Sequence, residues 1–264
     1  MGKIKITLDL SLFSDNIRSY LTGADIYDYT FSERAKTYFI DKDKGYYLKI
    51  ASKNMLIREM EMARYFAGKG FTSQVYEFDS DSERDILLTG KVVGLNCIKQ
   101  VHLDNPEKLC DVISESLRRL HDADCSGCPY TGVTSKMIPQ AHKNYKSGDY
   151  DAWLLGYVDI TEPEEGYARL CELEHLLIED THLHGDACLP NIMLDDFKFS
   201  GFIDFEGGGI GDRHLDLLWA LWSLQHNLKT NAYKERFLDG YGRDKFDKDR
   251  YILCGILQAF TYED

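Results

Sequence analysis

The spacing of apolar positions changes character along this chain. Residues 27–31, 37–41 and 46–50 are short runs rich in Tyr, Phe and Ile, separated by polar stretches at 32–36 and 41–45. That pattern predicts three strands joined by tight turns. From about 53 to 67 the period becomes helical. Met55, Glu59, Met62 and Phe66 fall at i, i+4, i+7 and i+11, and Leu56, Met60, Ala63 and Ala67 form the neighbouring stripe. Residues 72–78 and 85–89 predict two more strands. Beyond the glycine-flanked segment Gly90-Lys91-Val92-Val93-Gly94, helical periodicity dominates, with helices expected at 107–121, 167–178, 212–228, 232–240 and 247–260. One interruption stands out. Residues 191–194 and 199–204 read as two strands around the polar turn 195–198, followed by Gly207-Gly208-Gly209.

Three charged residues sit where this pattern expects apolar ones. Lys49 lies inside the apolar strand Tyr47-Leu48-Lys49-Ile50, and Glu59 interrupts the apolar side of the helix that follows. A buried charge needs a partner, so each is the natural partner of the other. A snorkelling Lys and a solvated Glu are the alternative. Asp216 lies within Leu215-Asp216-Leu217-Leu218-Trp219, apolar almost all round. It is expected to accept hydrogen bonds from the backbone around residues 184–186. Asp212 is expected to act as an acid in the first turn of its helix.

The candidate chemistry is in His184-Gly185-Asp186-Ala187-Cys188-Leu189-Pro190-Asn191, with Ile203-Asp204 on the returning strand. Asp186 and Asn191 are five residues apart, and Asn191 and Asp204 thirteen. The first spacing matches the H-x-D-x-x-x-x-N loop of protein kinases, with Gly185 in place of the usual Arg. In such a loop one carboxylate accepts the proton of the acceptor hydroxyl. The amide oxygen and a second carboxylate hold the metal ions that neutralise the transferring phosphate. The turn containing Ser32 would lie over the phosphates, with Ser32 donating a hydroxyl or backbone N–H. It lacks a G-x-G-x-x-G pattern, and an ordinary hairpin turn is the alternative. The backbone of the Gly90–Gly94 linker could pair with the edge of adenine.

Composition narrows the partners. The net charge of −13 disfavours nucleic acid and anionic membrane and permits a cationic small molecule. No run of about 18 apolar residues and no signal-peptide pattern is seen, so a cytoplasmic protein is expected. Seven cysteines without an export signal read as free thiols, and Cys125-Ser126-Gly127-Cys128 reads as a loop with two thiols rather than a metal site.

With these pieces assembled, the chain resembles the aminoglycoside 3′-phosphotransferase family, the kanamycin and neomycin kinases. The residues that carry the resemblance are His184 to Met193, Phe199 to Asp204, Gly211-Asp212-Arg213 with Asp216, Cys128-Pro129-Tyr130, Tyr47-Leu48-Lys49 and Glu59. It runs over nearly the whole chain. It implies an α+β, two-lobed, protein-kinase-like fold. The N-lobe, residues 1–90, would be an antiparallel sheet with one main helix; the C-lobe, residues 91–264, would be mostly helical. It implies ATP or GTP as phosphate donor, Mg²⁺, and transfer of the γ-phosphate to a hydroxyl of a small molecule. By the same resemblance Asp186 is the catalytic base, and Asn191 and Asp204 bind Mg²⁺. Lys49 contacts the α- and β-phosphates and is oriented by Glu59. Tyr47 stacks on adenine, and Gly90 and Val92 supply hinge backbone groups.

The acceptor side departs from the family. The Arg of Ile-Asp-x-Gly-Arg is missing from Ile203-Asp204-Phe205-Glu206-Gly207, and His226 and Asn227 stand where the family places acids. The last helix reads Gln258-Ala259-Phe260 instead of ending in Asp-Glu-aromatic, with Glu263 and Asp264 as candidate replacements. An aminoglycoside is the first expectation for the acceptor. A kinase of the same fold for another small alcohol is the alternative, and a nucleotide-binding module without turnover is the second alternative.

Overall fold

The computed structural model describes residues 4–31 and 33–261. The chain divides into two compact units. One runs up to Val93 and includes Ser200–Glu206; the other comprises Gly94–Phe199 and the chain from Gly207 onward.

The first unit contains β1 (Ile4–Ile6), α1 (Asp15–Leu21), β2 (Asp25–Asp28), β3 (Ala35–Asp41), β4 (Tyr46–Ser52), α2 (Ile57–Gly68), β5 (Val75–Ser80) and β6 (Arg84–Gly90). The strands form one antiparallel sheet in the order β1-β2-β3-β4-β6-β5. Alternation along β4 divides its side chains between two faces. Tyr46 and Leu48 pack with Ile26, Ile40, Ile86 and Leu88 beneath Phe13, Ile17 and Leu21 of the α1 region. Ala51 packs on the other face with Ala35, Leu87, and Leu56 and Met60 at α2.

Several elements depart from the periodicity. β1 and α1 were not anticipated, because α1 is only seven residues long and buries only Ile17 and Leu21. The strand expected at 27–31 ends at Asp28, whose carboxylate accepts the Thr30 N–H at 2.8 Å and turns the chain. The helix expected from 53 begins at Ile57, because the buried Asp85 carboxylate accepts the Leu56 N–H at 3.0 Å.

The second unit holds β7 (Leu95–Asn96), α3 (Gln100–Leu103), α4 (Pro106–His121), α5 (Met137–Ser147), α6 (Ala152–Tyr157), α7 (Pro163–Leu173), β8 (Thr181–Leu183) and β9 (Ile192–Asp195). β10 (Lys198–Phe202) carries the chain into the first unit. β11 (Gly209–Gly211), α8 (His214–Leu228), α9 (Lys234–Tyr241) and α10 (Lys248–Thr261) complete the second. β7 pairs with β9, and β8 with β11. The sequence pattern left α5 and α6 unassigned. The helix expected at 167–178 starts earlier, at Pro163, whose fixed φ suits a first turn. Asp196 and Phe197 both have positive φ, 46° and 56°, the geometry of a two-residue type I′ connection between β9 and β10. Among the described residues, no helix is long and apolar enough to cross a membrane.

Candidate active site

In the first unit, Lys49, Glu59 and Asp204 meet. Lys49 projects from β4 on the face opposite Leu48, towards α2. Its Nζ lies 2.6 Å from Glu59 Oε2 and 3.0 Å from Asp204 Oδ1. Asp204 reaches this point because residues 200–206 pack against the first unit. Phe202 N donates to the Phe71 carbonyl at 2.8 Å, and the Phe205 ring stacks on Phe66 at 4.4 Å. The side chains of Lys49 and Glu59 are 20% and 11% exposed, while that of Asp204 is 49% exposed. Asp204 is therefore the member of the cluster open to a ligand. Its φ of +68° is costly for a residue with a side chain, and such backbone concentrates at functional positions.

The electrostatics follow from one cation among several acids. Burial penalises the Lys49 ammonium, but the carboxylates of Asp204 and Glu59 outweigh it and raise its pKa. Burial pushes the Glu59 carboxyl up to about 7; Lys49 pulls it back, while Asp204 and Glu206 push it further. Tyr47, two residues from Lys49 and so on the same face of β4, is half-buried beside Tyr29 and Phe39. Gly90 ends β6 with its N–H donated to the Gln74 carbonyl at 2.9 Å and its own carbonyl accepting the Ser73 hydroxyl. The Gly90 N–H is thus already committed within the unit. Val92 is buried, with its Cγ1 facing Gly201. Ser32, Glu263 and Asp264 lie outside the described residues.

In the second unit, Asp186 and Asn191 meet on the loop that follows β8. Asn191 Nδ2 donates to Asp186 Oδ2 at 2.8 Å and to the Asp186 carbonyl at 3.1 Å. Both partners are acceptors, which fixes the orientation of the amide and leaves Oδ1 as its remaining acceptor atom. Asp186 is exposed.

The loop is anchored from beneath. Asp216, fully buried in the first turn of α8, accepts the His184 N–H at 2.6 Å and the Gly185 N–H at 2.9 Å, the hydrogen bonds expected of it. It also faces His121 Nε2 at 3.1 Å, and His121 Nδ1 lies 2.6 Å from the Tyr241 hydroxyl. A carboxylate can only accept, so Nε2 carries the proton and Nδ1 accepts from Tyr241. Burial holds the His121 imidazole below its ordinary pKa, against the opposing pull of Asp216. Further along, Leu189 N donates to Ser223 Oγ at 2.9 Å. His121, Tyr241 and Ser223 were missed in the sequence because each is polar for a partner distant along the chain.

Gly185 explains why this loop lacks the usual Arg. Its φ is +87°, and a Cβ there would stand 2.1 Å from the Gly207 carbonyl carbon. No other residue fits both the conformation and the approach. Asp212 was expected in the first turn of its helix, but α8 begins only at His214, and Asp212 precedes it, accepting the His214 N–H at 3.0 Å. It is fully buried and also holds Arg250 Nε at 2.8 Å and the Ile178 N–H at 3.1 Å. Burial works against its charge, but His214 and Arg250 outweigh that and lower its pKa.

Residues 32–253 match the model of a phosphotransferase enzyme family. The chain belongs to that family. It is 40% identical to the probable aminoglycoside 3′-phosphotransferase of Lactococcus lactis over 97% of this chain and 98% of that protein. It is 30% identical to an aminoglycoside 3′-phosphotransferase of Niallia circulans, over 77% of this chain and 79% of that one. The fold is shared with the aminoglycoside phosphotransferase APH(3″)-Id of Streptomyces rimosus, solved with ADP and streptomycin. The TM-score is 0.72 at 21% identity, over 97% of this chain and all of that one. The α+β fold, with an antiparallel sheet in one unit and a mostly helical second unit, is therefore that of these phosphotransferases. The family acts as phosphotransferases on hydroxyl acceptors.

Proposed function

We propose that this protein transfers the γ-phosphate of ATP to a hydroxyl group of an aminoglycoside. The observation that carries the reading is the exposed Asp186 carboxylate, held by the Asn191 amide on a loop that Asp216 anchors. The names of the relatives support the acceptor class.

Asp186 accepts the hydrogen of the acceptor hydroxyl as the oxygen attacks phosphorus. Lys49 contacts the α- and β-phosphates, and Glu59 keeps its ammonium in place. Tyr47 offers its ring to adenine, and Gly90 and Val92 mark the adjoining backbone. With the Gly90 N–H committed to Gln74, the Gly90 carbonyl, which has a second lone pair, is the more available of its two groups. GTP is the alternative donor.

Asn191 Oδ1 and the half-exposed Asp204 carboxylate are hard oxygen donors, and few protein ligands are what Mg²⁺ takes when phosphates supply the rest. These two residues would hold Mg²⁺, which neutralises charge on the phosphates when bound. Such a reaction belongs in the cytoplasm, where ATP and Mg²⁺ are supplied.

The test is release of ADP from ATP with Mg²⁺ and kanamycin, with the phosphorylated product identified by mass. Asp186→Asn should lower kcat by roughly 10²–10⁴-fold and leave ATP affinity nearly unchanged. Full turnover by that variant would remove Asp186 from its role.

A further inference from the structure

Cys125-Ser126-Gly127-Cys128 lies between α4 and α5 and takes no part in the site described above. The four residues form one closed turn. The Cys128 N–H donates to the Cys125 carbonyl at 3.3 Å. Gly127 has a φ of +75°, the left-handed conformation that the third residue of a type II turn requires. The Asp124 carboxylate reinforces the turn, accepting the Ser126 N–H at 3.2 Å and the Ser126 hydroxyl at 2.8 Å. Such a turn holds its first and last Cα atoms within about 7 Å, and a disulfide spans about 4.4–6.8 Å between Cα atoms. The backbone therefore already keeps the two cysteines near bonding range.

Access separates this pair from most of the other thiols. Cys125 and Cys128 are partly exposed, whereas Cys97, Cys110, Cys188 and Cys254 are buried; Cys171 is exposed and stands apart in α7. Each thiol of the turn donates to a backbone carbonyl, Cys125 Sγ to Asp180 at 3.4 Å and Cys128 Sγ to Tyr130 at 3.3 Å. A thiol is a weak donor, so neither hydrogen is firmly held. Both carbonyls adjoin the strands beside the Asp186 loop. Asp180 precedes β8, and the Tyr130 carbonyl also accepts the Ile210 N–H of β11 at 2.8 Å. Burial pushes the Cys125 thiol up in pKa, so it forms its thiolate less readily than an ordinary thiol. That makes it the slower first attacker of the two.

We propose that Cys125 and Cys128 are a redox-active pair that exchanges with small-molecule disulfides and closes an internal disulfide across the turn. The Cys128 thiolate attacks one sulfur of the small disulfide. Its S–S bond breaks, the leaving thiolate takes up a proton, and a mixed disulfide remains on Cys128. The Cys125 thiolate then attacks Cys128 Sγ and expels the second small thiol. In sum, two protein thiols are oxidised to one disulfide, and one small disulfide is reduced to two thiols. Closing the bond withdraws both S–H donors from the Asp180 and Tyr130 carbonyls, so the change reaches the start of β8. None of these steps depends on phosphotransfer.

The experiment incubates the folded full chain with oxidised glutathione, digests it without reduction and maps the thiols by mass. In the wild type, the peptide holding Cys125 and Cys128 should lose two hydrogens and carry no glutathionyl group, and dithiothreitol should restore it. Cys171, being exposed, should keep one glutathionyl group and so show that the reagent reached the protein. In Cys125→Ser the glutathionyl group should persist on Cys128, because the thiol that expels it is gone. In Cys128→Ser the remaining Cys125 should react about tenfold more slowly than Cys128 does in Cys125→Ser. Cys125 and Cys128 both staying reduced while Cys171 is modified would overturn the pair, as would a glutathionyl group that persists on either of them in the wild type. Equal rates in the two Ser variants would overturn the assigned order of attack.

Discussion

The backbone N–H of His184 donates to Asp216 Oδ2 at 2.6 Å, across thirty-two residues of sequence. Together with the Gly185 N–H at 2.9 Å, this ties the loop bearing Asp186 to the first turn of a buried helix. The carboxylate has no water to fall back on, so its hydrogen bonds are worth more than their exposed equivalents.

Asp216→Asn should therefore be severe. The amide keeps one acceptor and turns an N–H₂ toward groups that themselves donate. A loss of about 3 kcal/mol in urea unfolding is expected, two charge-assisted hydrogen bonds being disturbed. The kcat should fall with it even where the protein remains folded. Wild-type kcat in a folded variant would mean the anchor does not position Asp186.

Gly185→Ala tests a steric argument. The positive φ and the 2.1 Å approach to Gly207 leave no room for a methyl group. The backbone must shift, at a cost on the order of 1–3 kcal/mol. Thermal unfolding and kcat should both decline, and restoring the Arg common at this position in protein kinases should do worse than Ala. Tolerance of either substitution would show that the two loops part easily.

Lys49 and Glu59 should separate in their effects. Lys49→Met removes the ammonium and should reduce kcat/KM for ATP by roughly 10²-fold, the usual scale for a lost electrostatic contact to a reacting phosphate. Glu59→Gln keeps an acceptor 2.6 Å from Lys49 and should cost less. Since burial lifts the Glu59 carboxyl to about 7, the nucleotide-free protein should take up a proton there as pH falls through neutrality. Carboxyl NMR of labelled Glu59 measures this, and a titration near 4 would contradict it.

His121 supplies a pH dependence with a defined sign. Its folded pKa is depressed by burial, so the folded protein holds it neutral. Below about 6.5 the unfolded chain binds a proton that the folded chain refuses, and stability should fall as pH drops from that value. His121→Gln can still donate to Asp216 and accept from Tyr241. Its stability should fall less steeply between pH 6.5 and 5, by up to one proton in the slope. Identical slopes for the two proteins would show that His121 does not carry the effect.

Much of this was readable along the chain, and the reason is local. The spacing of Asp186, Asn191 and Asp204 reflects one loop and one hairpin, so it survives in one dimension. The Lys49–Glu59 pair was legible because two charges broke apolar periodicities that otherwise held. Asp216 betrayed itself in the same way. What sequence alone left undetermined depends on contacts between distant segments. Asp85 moves the start of α2 to Ile57, and residues 200–206 pack with the first unit through Phe71 and Phe66. His121 and Tyr241 acquire a role only through a carboxylate far along the chain. The rings of Trp153 in α6 and Trp222 in α8 meet at 5.8 Å, a contact the sequence pattern of neither helix announces. Periodicity reports which face of an element is buried; which partner buries it is decided only when the chain has folded.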